Sequence, residues 1–123
     1  MKRKIEFHTG VFEEIDDSKY KIMEKEEWLR EGKKRFGEDF MKWRFRCPMC
    51  GHIASVKEFI EAGADDPNCA YQECIGRYKD APVTSNIRQC FWTAYGIDGL
   101  LNGKGIIVIA DDGKGTKCFD FAD

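Results

Sequence analysis

Apolar positions recur at helical spacing between about residues 24 and 36, where Trp28, Leu29, Gly32 and Phe36 fall on one face. The charges agree with that reading. Glu24, Glu26 and Glu27 stand in the first turn and Lys33, Lys34 and Arg35 in the last, as the helix dipole favours. Glu26–Arg30 and Glu31–Arg35 add pairs at i,i+4, and Gly37 is a natural stop. Upstream, Ile5/Phe7 and Tyr20/Ile22 alternate, which predicts two short strands around the turn Asp16-Asp17-Ser18. Downstream, Trp43-Arg44-Phe45-Arg46 alternates apolar and basic side chains as a strand does.

Ser55-Val56-Lys57-Glu58 has the form of a capping box and opens a short helix to about Ala62, with Val56, Phe59 and Ile60 inward and Gly63 ending it. Asp65-Asp66-Pro67 forces a turn, and Pro82 with Thr84-Ser85-Asn86 predicts a loop in a segment poor in regular signals. The β-branched run Ile106-Ile107-Val108-Ile109-Ala110 pairs with Thr116–Phe121 across Asp111-Asp112-Gly113-Lys114-Gly115, a C-terminal β-hairpin. The expectation is a small α+β fold: one domain with an N-terminal helix, a C-terminal hairpin and a four-cysteine zinc ribbon between them.

Composition narrows the class. With 42% hydrophobic and 34% charged residues over 123 positions, the chain reads as a soluble globular domain. No stretch reaches the roughly 18 to 20 apolar residues a membrane span needs, so no membrane partner is expected. Glu6 and His8 interrupt the N-terminus where a signal peptide needs an apolar run, which places the protein in a cytoplasm. Residues 1–46 carry thirteen Lys/Arg against eleven Asp/Glu, and residues 47–123 seven against eleven. Neither half is basic enough to announce nucleic acid by charge alone.

A reducing compartment turns six cysteines toward metal rather than disulfides. Cys47-Pro48-Met49-Cys50 with Gly51 behind it is half of a structural zinc site: two sulfurs reach one ion, and the glycine lets backbone amides approach them. Cys74, followed by Ile75-Gly76, and Cys90 are the favoured second pair, giving Cys47, Cys50, Cys74 and Cys90 as the set. Cys69 or His52 remains an alternative to one of them, and Cys118, inside a predicted strand, reads as a small buried apolar residue. Four thiolates leave no position for a water, so one such Zn2+ is structural. Disulfide exchange would need a helix starting at the thiols, whereas the capping box starts it at Ser55.

The run from Trp43 to Val56, with Cys74-Ile75-Gly76-Arg77, Cys90 to Leu100 and Phe119-Asp120-Phe121-Ala122, resembles the pattern of a family of small phage- and prophage-encoded zinc-ribbon proteins. The helix with Trp28, Gly32 and Phe36-Gly37 is similar as well, so the resemblance covers most of 24–122. It implies a phage origin, hence the cytoplasm of an infected bacterial host, and supports the same four cysteines; Cys69 and Cys118 depart from the pattern. It also implies a division into an added N-terminal extension, 1–23, packed on a zinc-ribbon domain, 24–123. No substrate or catalytic residue comes with it.

The remaining candidates are weaker. Glu13-Glu14, Asp16-Asp17, Asp65-Asp66 and Asp111-Asp112 all sit at predicted turns, where acidic side chains bond local backbone. Gly103-Lys104-Gly105 and Gly113-Lys114-Gly115 lack a phosphate-loop pattern. Lys42, Arg44, Arg46, Arg77, Trp92 and Tyr95 would form a basic, aromatic face suited to nucleotides if strand and second knuckle lie side by side. The favoured expectation is a non-enzymatic protein that binds a host protein or nucleic-acid complex in host takeover or counter-defence. The alternatives are a sponge that sequesters a small signalling nucleotide, as an oligomer with its pocket at the interface, and a small hydrolase or thiol oxidoreductase.

Overall fold

A computed structural model describes residues 2–78, 90–96, 99–101 and 103–122. The loop expected around Pro82 and Thr84-Ser85-Asn86 lies outside the described residues. Five strands form the main sheet in the order β3-β6-β7-β4-β5: β3 Lys21–Glu24, β4 Arg44–Arg46, β5 Ile53–Ser55, β6 Gly105–Ile109 and β7 Gly115–Phe121. A separate hairpin joins β1 Lys2–Glu6 to β2 Phe12–Asp16. Among the described residues two α-helices complete the fold, α1 Lys25–Phe36 and α2 Val56–Glu61, with short 3₁₀ turns at Phe40–Lys42, Pro67–Tyr71 and Ile75–Arg77. The protein is a mixed α+β domain, and among the described residues no helix is long and apolar enough to cross a membrane.

The most apolar run of the chain makes β6, which is buried at every position and lies second in the sheet. It pairs antiparallel with β7, Ile107 opposite Lys117, as the sequence pattern predicts. On its other side β6 pairs in parallel with β3, Ile22 opposite Ile107. The N-terminal strands therefore differ from the expected arrangement. Ile5 is paired across the Phe7–Val11 turn with Glu13, and Tyr20/Ile22 leads instead into the main sheet. The pattern hides β2 because Ile15 is its one buried position. Glu13-Glu14 is accordingly strand and not turn, with Glu13 accepting from the Lys117 ammonium at 2.9 Å.

The first twenty-odd residues are tied into this core. Phe7 bridges Gly115, and a Cβ added at Gly115 would stand 2.8 Å from Ile5 and 3.2 Å from Phe7, so the glycine makes room for both. Ile5, Phe7 and Ile15 are buried with the residues of the sheet.

One face of α1 delivers Trp28 and Gly32 to the core, as their spacing predicts. Trp28 stacks on Phe121 at 5.4 Å and Phe45 at 6.1 Å and meets Trp43 edge-on at 5.7 Å. Trp43 and Phe45 are 2% exposed while Arg44 and Arg46 face outward, the alternation read from the sequence. The capping box at α2 is present in both directions, Glu58 N–H to Ser55 Oγ at 3.2 Å and Ser55 N–H to Glu58 Oε1 at 2.9 Å. Val56 and Phe59 point inward, but Ile60, expected inward, is 37% exposed. The six-residue helix makes under two turns, so only two of its three apolar positions reach the core.

Candidate metal centre

Strand β4 runs directly into Cys47, and the chain reverses through Pro48-Met49-Cys50-Gly51-His52 to return as β5, with Arg46 opposite Ile53. Two backbone bonds close the reversal: Gly51 N–H to Cys47 O at 2.9 Å and Cys47 N–H to His52 O at 3.0 Å. Gly51 has φ +78°, a conformation that L side chains rarely adopt, which is why a glycine stands there. The amides of Cys50 and Met49 are directed at the Cys47 sulfur, and that of His52 at the Cys50 sulfur. Both thiols of the first knuckle thus share one end of a hairpin.

The second pair is assembled from two segments. Cys74 caps the 3₁₀ turn Ile75–Arg77, its Sγ accepting from Gly76 N–H at 3.4 Å. Cys74 N–H donates to Trp92 O at 3.0 Å and Ala94 N–H to Gln72 O at 2.7 Å, with a bridge between Glu73 and Thr93. That short ladder carries Cys90 alongside Cys74. As a result the sulfurs of Cys47, Cys50, Cys74 and Cys90 all lie within 4.8 Å of one another. Cys47–Cys90 is 4.0 Å and Cys50–Cys74 is 3.6 Å. Sulfurs tetrahedral about zinc at ~2.3 Å would stand about 3.8 Å apart, between those two values. Neither Cys69 nor His52 is in the cluster.

Electrostatics favour a cation here. The thiol of Cys74 donates to Cys47 and, against the opposing effect of burial, holds its pKa down at about 5, with the amides of Cys50 and Met49 helping. Burial pushes Cys50 up to about 11, and the same shared proton together with burial raises Cys74. Crowded thiols, those of Cys47 and Cys74 buried, can surrender one proton but resist losing four, because each further thiolate repels the first. A divalent ion at the centre removes that repulsion.

The basic and aromatic candidates fall into separate surroundings. Arg77 lies 3.3 Å from Glu73, and Tyr95 donates to the same carboxylate at 2.7 Å. Tyr78 donates to its other oxygen, so Glu73 is a hub of three partners. Burial would raise the Glu73 pKa, but these donors outweigh it and hold the carboxyl below its ordinary value. Trp92 is half-buried and gives its indole N–H to Gly99 O at 2.8 Å. Arg44 instead lies over the Phe36 ring at 5.7 Å, and Arg46 donates to Gly51 O at 3.4 Å. Glu73 was not among the sequence candidates: its partners Arg77, Tyr78 and Tyr95 converge only through the fold. Phe91, next to Cys90 and 65% exposed, is a further aromatic at the centre that alternation could not flag.

Cys69 sits near Tyr78 and Glu73, and its thiol pKa is raised, chiefly by burial. Cys118 is 2% exposed within β7, the buried small residue the strand pattern implies. A family model, VVA0879-like, matches residues 24–122. No curated protein and no solved structure matches the chain.

Proposed function

The chain belongs to the VVA0879-like family, and we propose that it is a phage-encoded binding protein held in shape by one structural zinc ion on Cys47, Cys50, Cys74 and Cys90. The observation that carries the metal assignment is the convergence of four sulfurs within 4.8 Å, drawn from one hairpin and one ladder. Four thiolates complete a tetrahedron and leave no coordination position for a water or substrate, which directs the role toward scaffolding. Its partner is a host protein or a nucleic-acid complex. The sequence resemblance to small phage proteins supports that choice.

Native mass spectrometry of the full chain tests the first part: the expected mass is one zinc above the apo chain, and its absence refutes the metal assignment. Affinity capture from bacterial host extract tests the second. Recovery of neither a reproducible protein partner nor nucleic acid would overturn the binding role while leaving the zinc untouched.

The nucleotide-sponge reading rests on Arg77 with Trp92 and Tyr95. Its difficulty is physical: a phosphate would have to displace Glu73, which already holds both Arg77 and Tyr95. Co-purification of a few hundred daltons beyond zinc would favour it nonetheless, and a free zinc protein would remove it.

A further inference from the structure

A cavity of about 480 Å³, lined by none of the four clustered cysteines, lies between α1, the Pro67–Tyr71 turn and the β6–β7 hairpin. Its size falls in the usual range for small-molecule pockets, roughly 300 to 1,000 Å³. The interior is mostly apolar, with three aromatic side chains, Trp28, Phe40 and Tyr71, among the residues that line it. Lys25 and His8 add basic side chains to the lining. Among the described residues no Asp or Glu lines it, although acidic residues outnumber Lys and Arg by 22 to 20 in the chain.

The place of Lys25 is itself informative. It is the first residue of α1, the helix end where the dipole disfavours a cation, and it belongs to a turn otherwise built from Glu26 and Glu27. His8 is oriented by its hydrogen bond to Thr116 Oγ1 at 2.7 Å, and Thr116 also lines the cavity. The other ring nitrogen of His8 lies 3.7 Å from Asp112, so Lys25 is the cation the lining offers to a ligand. Tyr71, also in the lining, donates to Asn68 Oδ1 at 2.9 Å. The His8 and Tyr71 polar groups are thus held before any ligand arrives.

We propose that this cavity binds a small, flat, apolar anion: an aromatic body against Trp28, Phe40 and Tyr71, and a carboxylate or similar head toward Lys25. Aromatic walls suit a ring, and a lining that holds a lysine and no acid selects against neutral or cationic molecules of the same shape.

The test uses the full chain as purified and two probes of one shape, 2-naphthoate and the neutral 2-naphthylmethanol, titrated by ligand-observed NMR. The expected result is binding of both, with naphthoate tighter by about threefold or more, the scale of an exposed ion pair. Lys25→Gln should bring naphthoate down to the affinity of the alcohol and leave the alcohol unchanged. Ala110→Phe, which places a ring into the cavity from the end of β6, should weaken both probes by about tenfold or more. Should that variant misfold by circular dichroism, Leu29→Phe fills the same space from α1. Naphthoate binding that survives the filling substitution refutes the site, and equal affinity of the two probes refutes the preference for an anion.

Discussion

Gly32→Ala is the substitution on which helix propensity and packing make opposite forecasts. Propensity alone favours Ala over Gly within a helix by about 1 kcal/mol. Packing opposes it, because a Cβ built at Gly32 would stand 2.2 Å from Trp43 Cζ3, 2.3 Å from Cη2 and 2.6 Å from Cε3. Carbon atoms in contact sit about 3.5 to 4.0 Å apart, so the Trp43 ring would have to withdraw by more than ~1 Å. It has nowhere to go. Trp43 is 2% exposed, its indole N–H is bonded to Gly37 O at 3.0 Å, and Phe40 and Phe121 press on it at 5.1 and 6.0 Å. Overpacking of this kind costs about 3 kcal/mol or more at a rigid site, which leaves a net loss of about 2 kcal/mol after propensity is credited. At about 4 °C per kcal/mol for a chain of this size, Tm should fall by about 8 °C. Thermal unfolding followed by circular dichroism reads it directly. The three clashing atoms belong to the outer ring of the indole, so Trp43→Phe should relieve them, and the double variant should be more stable than the two single losses added together. A Tm at or above that of the parent, or strict additivity, would refute the packing argument.

Cys47→Ser should abolish zinc in native mass spectra and cost the cooperative unfolding transition, since binding of this kind contributes on the order of 10 kcal/mol to small zinc modules; Cys69→Ser should keep one equivalent of metal. Trp28 and Trp43 should respond differently to Phe. The Trp28 indole N–H is buried without a hydrogen-bond partner among the described residues, so Trp28→Phe should lose packing alone, whereas Trp43→Phe also loses the hydrogen bond to Gly37 O and should cost about 1 kcal/mol more in urea unfolding. Ser55→Ala removes the acceptor of Glu58 N–H and should lower stability by about 1 kcal/mol; no change in the urea midpoint would mean the cap is idle.

Where local patterning carries the information, the elements were legible. The face of α1, the alternation through Trp43–Arg46, the capping box at Ser55 and the C-terminal hairpin each depend on residues a few positions apart, and each stands as read. Ile60 failed because helical spacing says which side a residue faces but not where the core ends. β2 and β5 failed because short strands with one buried position leave no period to detect. The convergence of Cys47 and Cys50 with Cys74 and Cys90 could be anticipated from knuckle chemistry, the glycine behind the first pair above all.

The sequence by itself determined the chemistry available: six thiols, two of them in a Cys-x-x-Cys knuckle suited to one metal ion, and the ends of its helices. Those follow from side-chain type and near spacing, which the chain carries along its length. Only the tertiary structure decided what meets what. It brought β3 into register beside β6, gathered Arg77, Tyr78 and Tyr95 on Glu73, set Gly32 against Trp43 and left a cavity with Lys25 at its wall. Each of those pairings joins residues through contacts whose partners are chosen by the packing of the whole core, and no local pattern encodes that choice.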